Sequence, residues 1–310
     1  MARDIKWEKL FSYDTLVYAI AGSVGSVTAM TTFYPLDTVR SRLQVEDRDA
    51  KNTWTLLQEF IREEGFESLY RGLGPVLTSL CCSNFVYFYT FHGLRSVYKR
   101  DAKSHSALTD LTLASIAGAV NVLLTTPLWV VNTRLRLQNI KLKLEDRKSS
   151  DYSHYKGIID GLCQIKKVEG WKGIYGGLVP SLILVSNPAL QFMIYESLKR
   201  RMSKGSESKA ISSTSYFIIG AISKCISTIL TYPIQLVQSK LRYGTDELKQ
   251  MNVIYMLFYI AKKQGFKELY KGMEAKILQT VLTAALMFLC YEKIAALVFA
   301  LLKRKQSLSH

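Results

Sequence analysis

The chain has 310 residues, of which 48% are hydrophobic, and its 41 Lys and Arg outweigh 25 Asp and Glu to give a formal net charge of +16. Five cysteines, odd in number and without ligand-like spacing, speak against a secreted disulfide scaffold and against a zinc site. Basic loops attract anionic lipid, anionic solutes or nucleic acid, and without an aromatic-and-basic RNA motif nucleic acid is the weakest of the three.

In chain order, apolar segments lie at 16–35, 75–91, 108–128, 178–195, 214–234 and 275–302. Each reaches or approaches the roughly 20 residues that cross a bilayer as a helix. Several carry Ser, Thr, Asn or Gln, which suits a helix that lines a wet cavity and is apolar only toward lipid. Six core helices of a soluble protein are the alternative. Short amphipathic helices are predicted at 53–64, 157–169 and 252–264, between the spans of each pair. In the first, Trp54, Leu57, Phe60 and Ile61 recur at helical spacing beside Glu59, Arg62 and Glu63. Such a helix lies along a membrane surface, and the glycine after it supplies a stop. The run Asn139–Tyr155 is the longest polar insertion. Nothing at the start resembles a cleaved signal.

One tripartite pattern occurs three times. Pro35-Leu36-Asp37, Pro127-Leu128-Trp129 and Pro233-Ile234-Gln235 each close an apolar stretch, with Arg42, Arg134 or Lys240 seven positions after the proline. Gly65 and Gly72, Gly170 and Gly177, and Gly265 and Gly272 then bracket loops of equal length. A second apolar stretch ends in Phe91-His92, Tyr195-Glu196 or Tyr291-Glu292. Agreement at three landmarks in three copies fixes a repeat architecture before any local motif is read.

Taken together, the Pro-x-[acid]-x-x-[base] ends, the glycine-bracketed loops and the aromatic-acid ends resemble the mitochondrial carrier family over about residues 13–300. That resemblance implies an all-α membrane protein: six transmembrane helices in a pseudo-threefold barrel, with carrier repeats at 13–100, 108–203 and 212–303. It also implies a central site open alternately to either side and a monomer held in membrane lipid. Pro127-Leu128-Trp129-Val130-Val131-Asn132-Thr133-Arg134 looks like the branch that moves folate, flavin, NAD and pyrimidine nucleotides. The stretches Leu80–Phe91 and Ala275–Ala285 resemble its peroxisomal member more closely still. The implied cargo is CoA, FAD, FMN, NAD, AMP, ADP and adenosine 3',5'-diphosphate, exchanged across the peroxisomal membrane; the mitochondrial inner membrane is the alternative. These molecules are substrates, and no bound cofactor or metal is expected. Asn187-Pro188 departs from the signatures of the ADP/ATP and keto-acid members. An ATP/AMP-type carrier and a non-transporting membrane organiser with a plugged cavity are the rival readings. No Gly-rich phosphate loop or nucleophile–base set points to an enzyme. The basic run Lys199-Arg200-Arg201 is a candidate contact for a peroxisomal membrane-protein import chaperone.

Proline removes a backbone donor and bends a helix, so Pro35, Pro127 and Pro233 are expected to draw the odd helices together at one mouth. By the family pattern that mouth is closed by Asp37 with Asn132, Trp129 with Gln238, and Gln235 with Arg40. None of these is an ion pair, which predicts a weak gate. At the other mouth the pattern pairs Glu292 with Arg95, whereas His92 faces Lys199 and Glu196 faces Ala295. Counting back in helical turns from Phe91, Tyr195 and Tyr291 gives the cavity face of the even helices. It offers Ser79, Ser83 and Tyr87 with Asn84 beside them, then Asn187 and Gln191, then Lys276, Gln279 and Thr283. Lys224 and Lys276 stand out, because a cation in a membrane segment costs roughly 2.5–3.5 kcal/mol on insertion scales. They are the candidates to offset nucleotide phosphates, with Tyr87 stacking on the base and Asn187 and Gln191 bonding its edge or the ribose.

Overall fold

The computed structural model describes residues 27–45, 52–99, 107–137, 155–204, 213–243 and 252–286. Most of the first and last apolar segments, the polar insertion after Asn139, Glu292 and Ala295 lie outside them. Every regular element among the described residues is helical. Helical residues 27–32 lead, through a break at Phe33, into α1 (Tyr34–Val45). Pro35 sits in its first turn, where the absent N–H has no partner to lose. Then come α2 (Thr53–Glu64), α3 (Leu73–Lys99), α4 (Ala107–Leu137), α5 (Ile158–Ile174), α6 (Leu178–Leu184), α7 (Asn187–Lys204), α8 (Ser213–Tyr243), α9 (Val253–Lys263) and α10 (273–286).

Each repeat builds its own small core where a surface helix lies on the end of an odd-numbered span. Leu56 and Phe60 of α2, one turn apart, bury completely against Val39 and Leu43 of α1 and Leu69 of the following 3-10 turn. Met256 and Ile260 of α9 pack in the same way on Leu236 and Val237 of α8 and on Leu269. In the middle repeat Ile165 of α5 meets Val130, Val131 and Leu135 of α4. Each such side chain contributes about 1.5–3 kcal/mol when fully buried. The far sides of these helices are apolar and exposed, as at Trp54, Ile159 and Phe258, which places them against lipid or its headgroups.

Glycine follows the first and third surface helices as expected, while in the second Gly170 kinks α5, which runs on to Ile174. Gly65, Gly170 and Gly265 have φ of 82°, 68° and 94°, a region that other residues rarely enter. The second glycine of each bracket makes a contact that joins the repeats. A Cβ on Gly72 would lie 3.4 Å from Cα of Arg136 in α4. One on Gly177 would lie 3.0 Å from the Gln238 carbonyl in α8, and one on Gly272 3.3 Å from the Arg40 carbonyl in α1. Repeat one therefore abuts two, two abuts three, and three returns to one. The ring closes.

Two expectations about the spans change. The segments ending near Pro127 and Pro233 do not stop there; α4 and α8 run unbroken to Leu137 and Tyr243, with the prolines inside them. The fourth span is two helices, α6 and α7, separated at Val185-Ser186. Pro188 cannot donate to the carbonyl four residues earlier, so the helix breaks just before it. Thr109–Leu137, Leu178–Met202 and Ser215–Tyr243 are long and apolar enough to cross a membrane.

Candidate functional site

The continuation of α1, α4 and α8 beyond their prolines carries the bonds that hold one end of the barrel together. Asp37 does not bond Asn132. Its carboxylate accepts from Arg136 at 2.5 Å and pairs with Arg40, a turn away, at 3.1 Å. Arg136 also donates to Ser41 at 2.7 Å. Gln44 Nε2 donates to the Tyr232 hydroxyl at 3.1 Å, which in turn donates to the Lys271 carbonyl at 2.7 Å. Arg134 Nε donates to the Arg242 carbonyl at 3.2 Å, and the Arg242 guanidinium lies over the Trp129 ring at 5.8 Å. The other two pairings expected from the family pattern are not formed either. Gln238 donates to Ser181 at 2.8 Å and Gln235 to Thr231 at 3.1 Å.

The reason is geometric. Gln44, Arg136 and Arg242 stand nine residues after their prolines, one helical turn beyond Arg40, Asn132 and Gln238 and on the same face. The gate contacts between helices come from that deeper ring, and a buried ion pair is among them. Sequence reasoning missed it by following the position five after each proline, although the bases at Arg136 and Arg242 were there to be noticed. The bases seven after the proline have another task. Arg42 grips Glu64 with two bonds of 2.8 Å, and Arg134 grips Glu169 with bonds of 2.5 and 3.0 Å. Such bidentate pairs are strong and directional, and they fasten the surface helices to the spans.

Above this layer the barrel is hollow. A cavity of about 460 Å³ is lined by Ser83, Tyr87, Asn121, Trp129, Asn187 and Lys224 among others. A second, of about 310 Å³, is lined by Asp37, Arg40, Asn132, Arg136, Lys276 and Gln279. Trp129, Gln235, Gln238 and Arg242 line both and form the wall between them. A third space of about 280 Å³ lies beside Gln191, Phe217, Lys224 and Thr280. Lys224 thus faces two cavities.

Seven of the ten residues singled out as cargo contacts line these three spaces; Ser79, Asn84 and Thr283 do not. Ser79 is fully buried and its hydroxyl, like that of Thr283, has no partner among the described residues. Asn84 is exposed on the outside of α3. Two lining residues are already engaged. Asn187 donates to Thr231 at 2.8 Å and accepts from Ser227 at 3.0 Å, which ties α7 to α8. Ser83 bonds Asn121 and ties α3 to α4. Their polar atoms serve packing between helices in this state, as such groups often do in membranes. Tyr87 keeps its place beside the first cavity, with its ring stacked on Phe91 at 6.2 Å. Lys276 reaches only the Gln279 amide oxygen, at 3.5 Å.

Among the described residues the opposite mouth carries few bonds between helices. Arg95 meets Asp110 at 3.5 Å. Glu196 pairs within its own helix, with Lys199 at 3.7 Å and Arg200 at 3.8 Å. His92 is exposed and stacks on Phe88 at 6.3 Å. The pairings of Arg95 with Glu292 and of Glu196 with Ala295 involve partners outside the described residues.

Known proteins match the same repeat plan. The mitochondrial carrier protein family model matches residues 12–102, 103–206 and 209–300. The mouse peroxisomal membrane protein PMP34 is 52% identical over 310 residues, covering 97% of this chain and 99% of that protein. A soybean peroxisomal adenine nucleotide carrier 1 is 33% identical, covering 93% of each chain. An Arabidopsis thaliana peroxisomal nicotinamide adenine dinucleotide carrier is 30% identical, covering 91% of this chain and 95% of that protein. With a threefold family match across nearly its whole length and a ring of three interlocked repeats around a hollow axis, the chain belongs to the mitochondrial carrier family of membrane transporters, not to the enzymes.

Proposed function

We propose that the protein exchanges nucleotide-containing cofactors across the peroxisomal membrane by alternating access. The cargo comprises CoA, FAD, FMN, NAD, AMP, ADP and adenosine 3',5'-diphosphate. One observation carries this reading: two adjoining cavities on the axis hold Lys224 and Lys276, neither paired with a carboxylate among the described residues, alongside an aromatic ring at Tyr87. Cations with no fixed counter-charge suit anionic phosphates, and the Tyr87 ring suits a base. The names of the mouse, soybean and Arabidopsis relatives support the compartment and the adenine-nucleotide class. In this reading Gln191 is free to meet a base or ribose edge, whereas Asn187 must first release Thr231 and Ser227. The carrier acts as a monomer in lipid, with no bound cofactor.

The test is uptake by purified protein in liposomes, against a panel of these cofactors and ATP, with each in turn loaded inside. Exchange of CoA or FAD supports the proposal; exchange confined to ATP and AMP replaces it with the narrower nucleotide carrier. Lys276→Ala and Lys224→Ala are each expected to lower uptake at least tenfold, and full uptake by both removes their role. The open cavities run against the organiser reading, which needs a filled axis. Lys199, Arg200 and Arg201 at the outer end of α7 remain the proposed contact for a membrane-protein import chaperone, with Arg200 78% exposed. Correct delivery to peroxisomes of a variant with all three changed to Ala overturns that contact.

A further inference from the structure

The gate cavity carries more positive charge than its own acids balance. Arg40, Arg136, Arg242 and Lys276 face it, against one carboxylate among the described residues, that of Asp37. The charges acting most strongly on Lys276 are those of Arg40, Asp37, Lys224 and Arg136, of which three are positive. Arg242 feels the repulsion of Arg40 and pairs with no acid among the described residues. Where the family pattern puts acids two places after the second and third prolines, this chain has Trp129 and Gln235. The partner positions have lost two bases as well, Asn132 and Gln238, but Arg136 and Arg242 one turn further on bring cations back to the cavity. An excess of positive charge gathered among buried side chains is costly unless something compensates it.

A second observation points the same way. Asn132 is 2% exposed and lines this cavity, yet neither its amide nitrogen nor its oxygen has a partner among the described residues. A buried amide with all its bonds unmade is costly, so such a group normally has a partner. The cavity volume of about 310 Å³ leaves room for a small polyoxoanion.

We propose that the gate cavity is an anion site for a phosphate or diphosphate group, bound by Arg40, Arg242, Lys276 and the Asn132 amide. The anion supplies the negative charge that Trp129 and Gln235 do not. Arg136 stays with Asp37 while the site is empty and is available to the anion once that pair loosens. Trp129, Gln235, Gln238 and Arg242 border both cavities, so an anion in the first lies one layer of side chains from the gate and reaches it when those side chains move. That the phosphate of a transported nucleotide is the anion during transport rests on the proposed function; the site itself does not.

The experiment uses the full chain in detergent and follows thermal unfolding with inorganic pyrophosphate, inorganic phosphate or chloride at one fixed ionic strength. Pyrophosphate is expected to raise the midpoint saturably, phosphate less, and chloride not at all. Arg242→Gln and Lys276→Gln are each expected to weaken the apparent affinity about tenfold, while Arg200→Gln on the outer end of α7 leaves it unchanged. Asn132→Leu, which removes no charge, is expected to weaken it about threefold and separates bonding from general electrostatics. Equal stabilisation by all three salts, or the same pyrophosphate response in every variant, overturns the site. AMP and adenosine distinguish the source: stabilisation by AMP and not by adenosine identifies a nucleotide's phosphate as an occupant, and pyrophosphate alone acting leaves a site for free anion. Saturable pyrophosphate binding without nucleotide exchange in liposomes would keep the site and defeat the cargo reading. Exchange without that binding would do the reverse.

Discussion

Among the described residues the two ends of the barrel are bonded differently. Past the three prolines, α1, α4 and α8 are bonded to one another by long side chains that cross from helix to helix: Arg136 to Asp37, Gln44 to Tyr232, Arg134 to the Arg242 carbonyl. At the other end Glu196 of α7 pairs within its own helix, and among the described residues the bridges between helices are the long Arg95–Asp110 pair and Lys199 of α7 over the Tyr216 ring of α8 at 5.9 Å. A bond within a helix does not resist the separation of helices; a bond between helices does. The state described is therefore shut at the proline end, with its first cavity above that layer and its second reaching into it. The energy that opposes opening is concentrated in a few buried groups there.

Removing the one buried carboxylate of that layer is the severest way to break the contrast. Asp37→Asn leaves Arg136, 8% exposed, without its counter-charge. Loss of one partner from a buried pair costs about 3–5 kcal/mol. A large fall in the unfolding midpoint in detergent is expected, with leak of solute through liposomes that hold no exchange partner. A midpoint equal to that of the unaltered protein would show that the pair contributes nothing to closure.

Adding a bond should act in the opposite sense. Trp129 lies under the Arg242 guanidinium, so Trp129→Asp places a carboxylate where Arg242 has none. A hydrogen bond to a charged group contributes about 1.5–3 kcal/mol. Opening then slows, and exchange is expected to fall about tenfold or more, since each 1.4 kcal/mol is a factor of ten in rate. A rate unchanged or raised would mean that closure of this end does not limit transport.

Glycine positions grade the same difference more finely. Gly65 and Gly272 share a positive φ, 82° and 80°, so alanine at either is strained by about 1–3 kcal/mol. Around Gly65 nothing lies within 4 Å of an added Cβ, whereas at Gly272 it meets the Tyr232 hydroxyl at 3.1 Å and the Arg40 carbonyl at 3.3 Å. Gly272→Ala is expected to lower the midpoint clearly more than Gly65→Ala, because only the former pushes repeat three away from α1. Equal losses would mean that the ring contacts between repeats yield freely.

How far the sequence reached depends on period and on arm length. Threefold repetition, surface helices and glycine stops were all readable, because periodic burial and positive φ leave marks on local sequence. The end of α4 was not, since Pro127 looks like a terminus while the packing of Val130, Val131 and Leu135 against α5 carries the helix onward. Nor was the choice between Asn132 and Arg136 as partner for Asp37. Both lie on one face, and a guanidinium reaches across a helix pair where a short amide does not. Ser79, Thr283 and Asn84 fit the polar spacing, but helix rotation about the axis decides which of such groups meets a cavity, and a single chain does not encode that locally.

At the sparse end the smallest effect is expected, and it checks the contrast from the other side. Glu196 is 30% exposed and its two partners lie three and four residues along the same helix. Pairs of that kind contribute at most about 0.5 kcal/mol and are screened by salt. Glu196→Gln removes both without freeing α7 from any neighbour, so neither the unfolding midpoint nor the exchange rate should change beyond that amount. A marked rise in rate would show that Glu196 holds another helix when this mouth closes, in a state with the opposite end open. The same substitution would then slow unfolding of neither end in the state described here, because its bonds there join α7 only to itself.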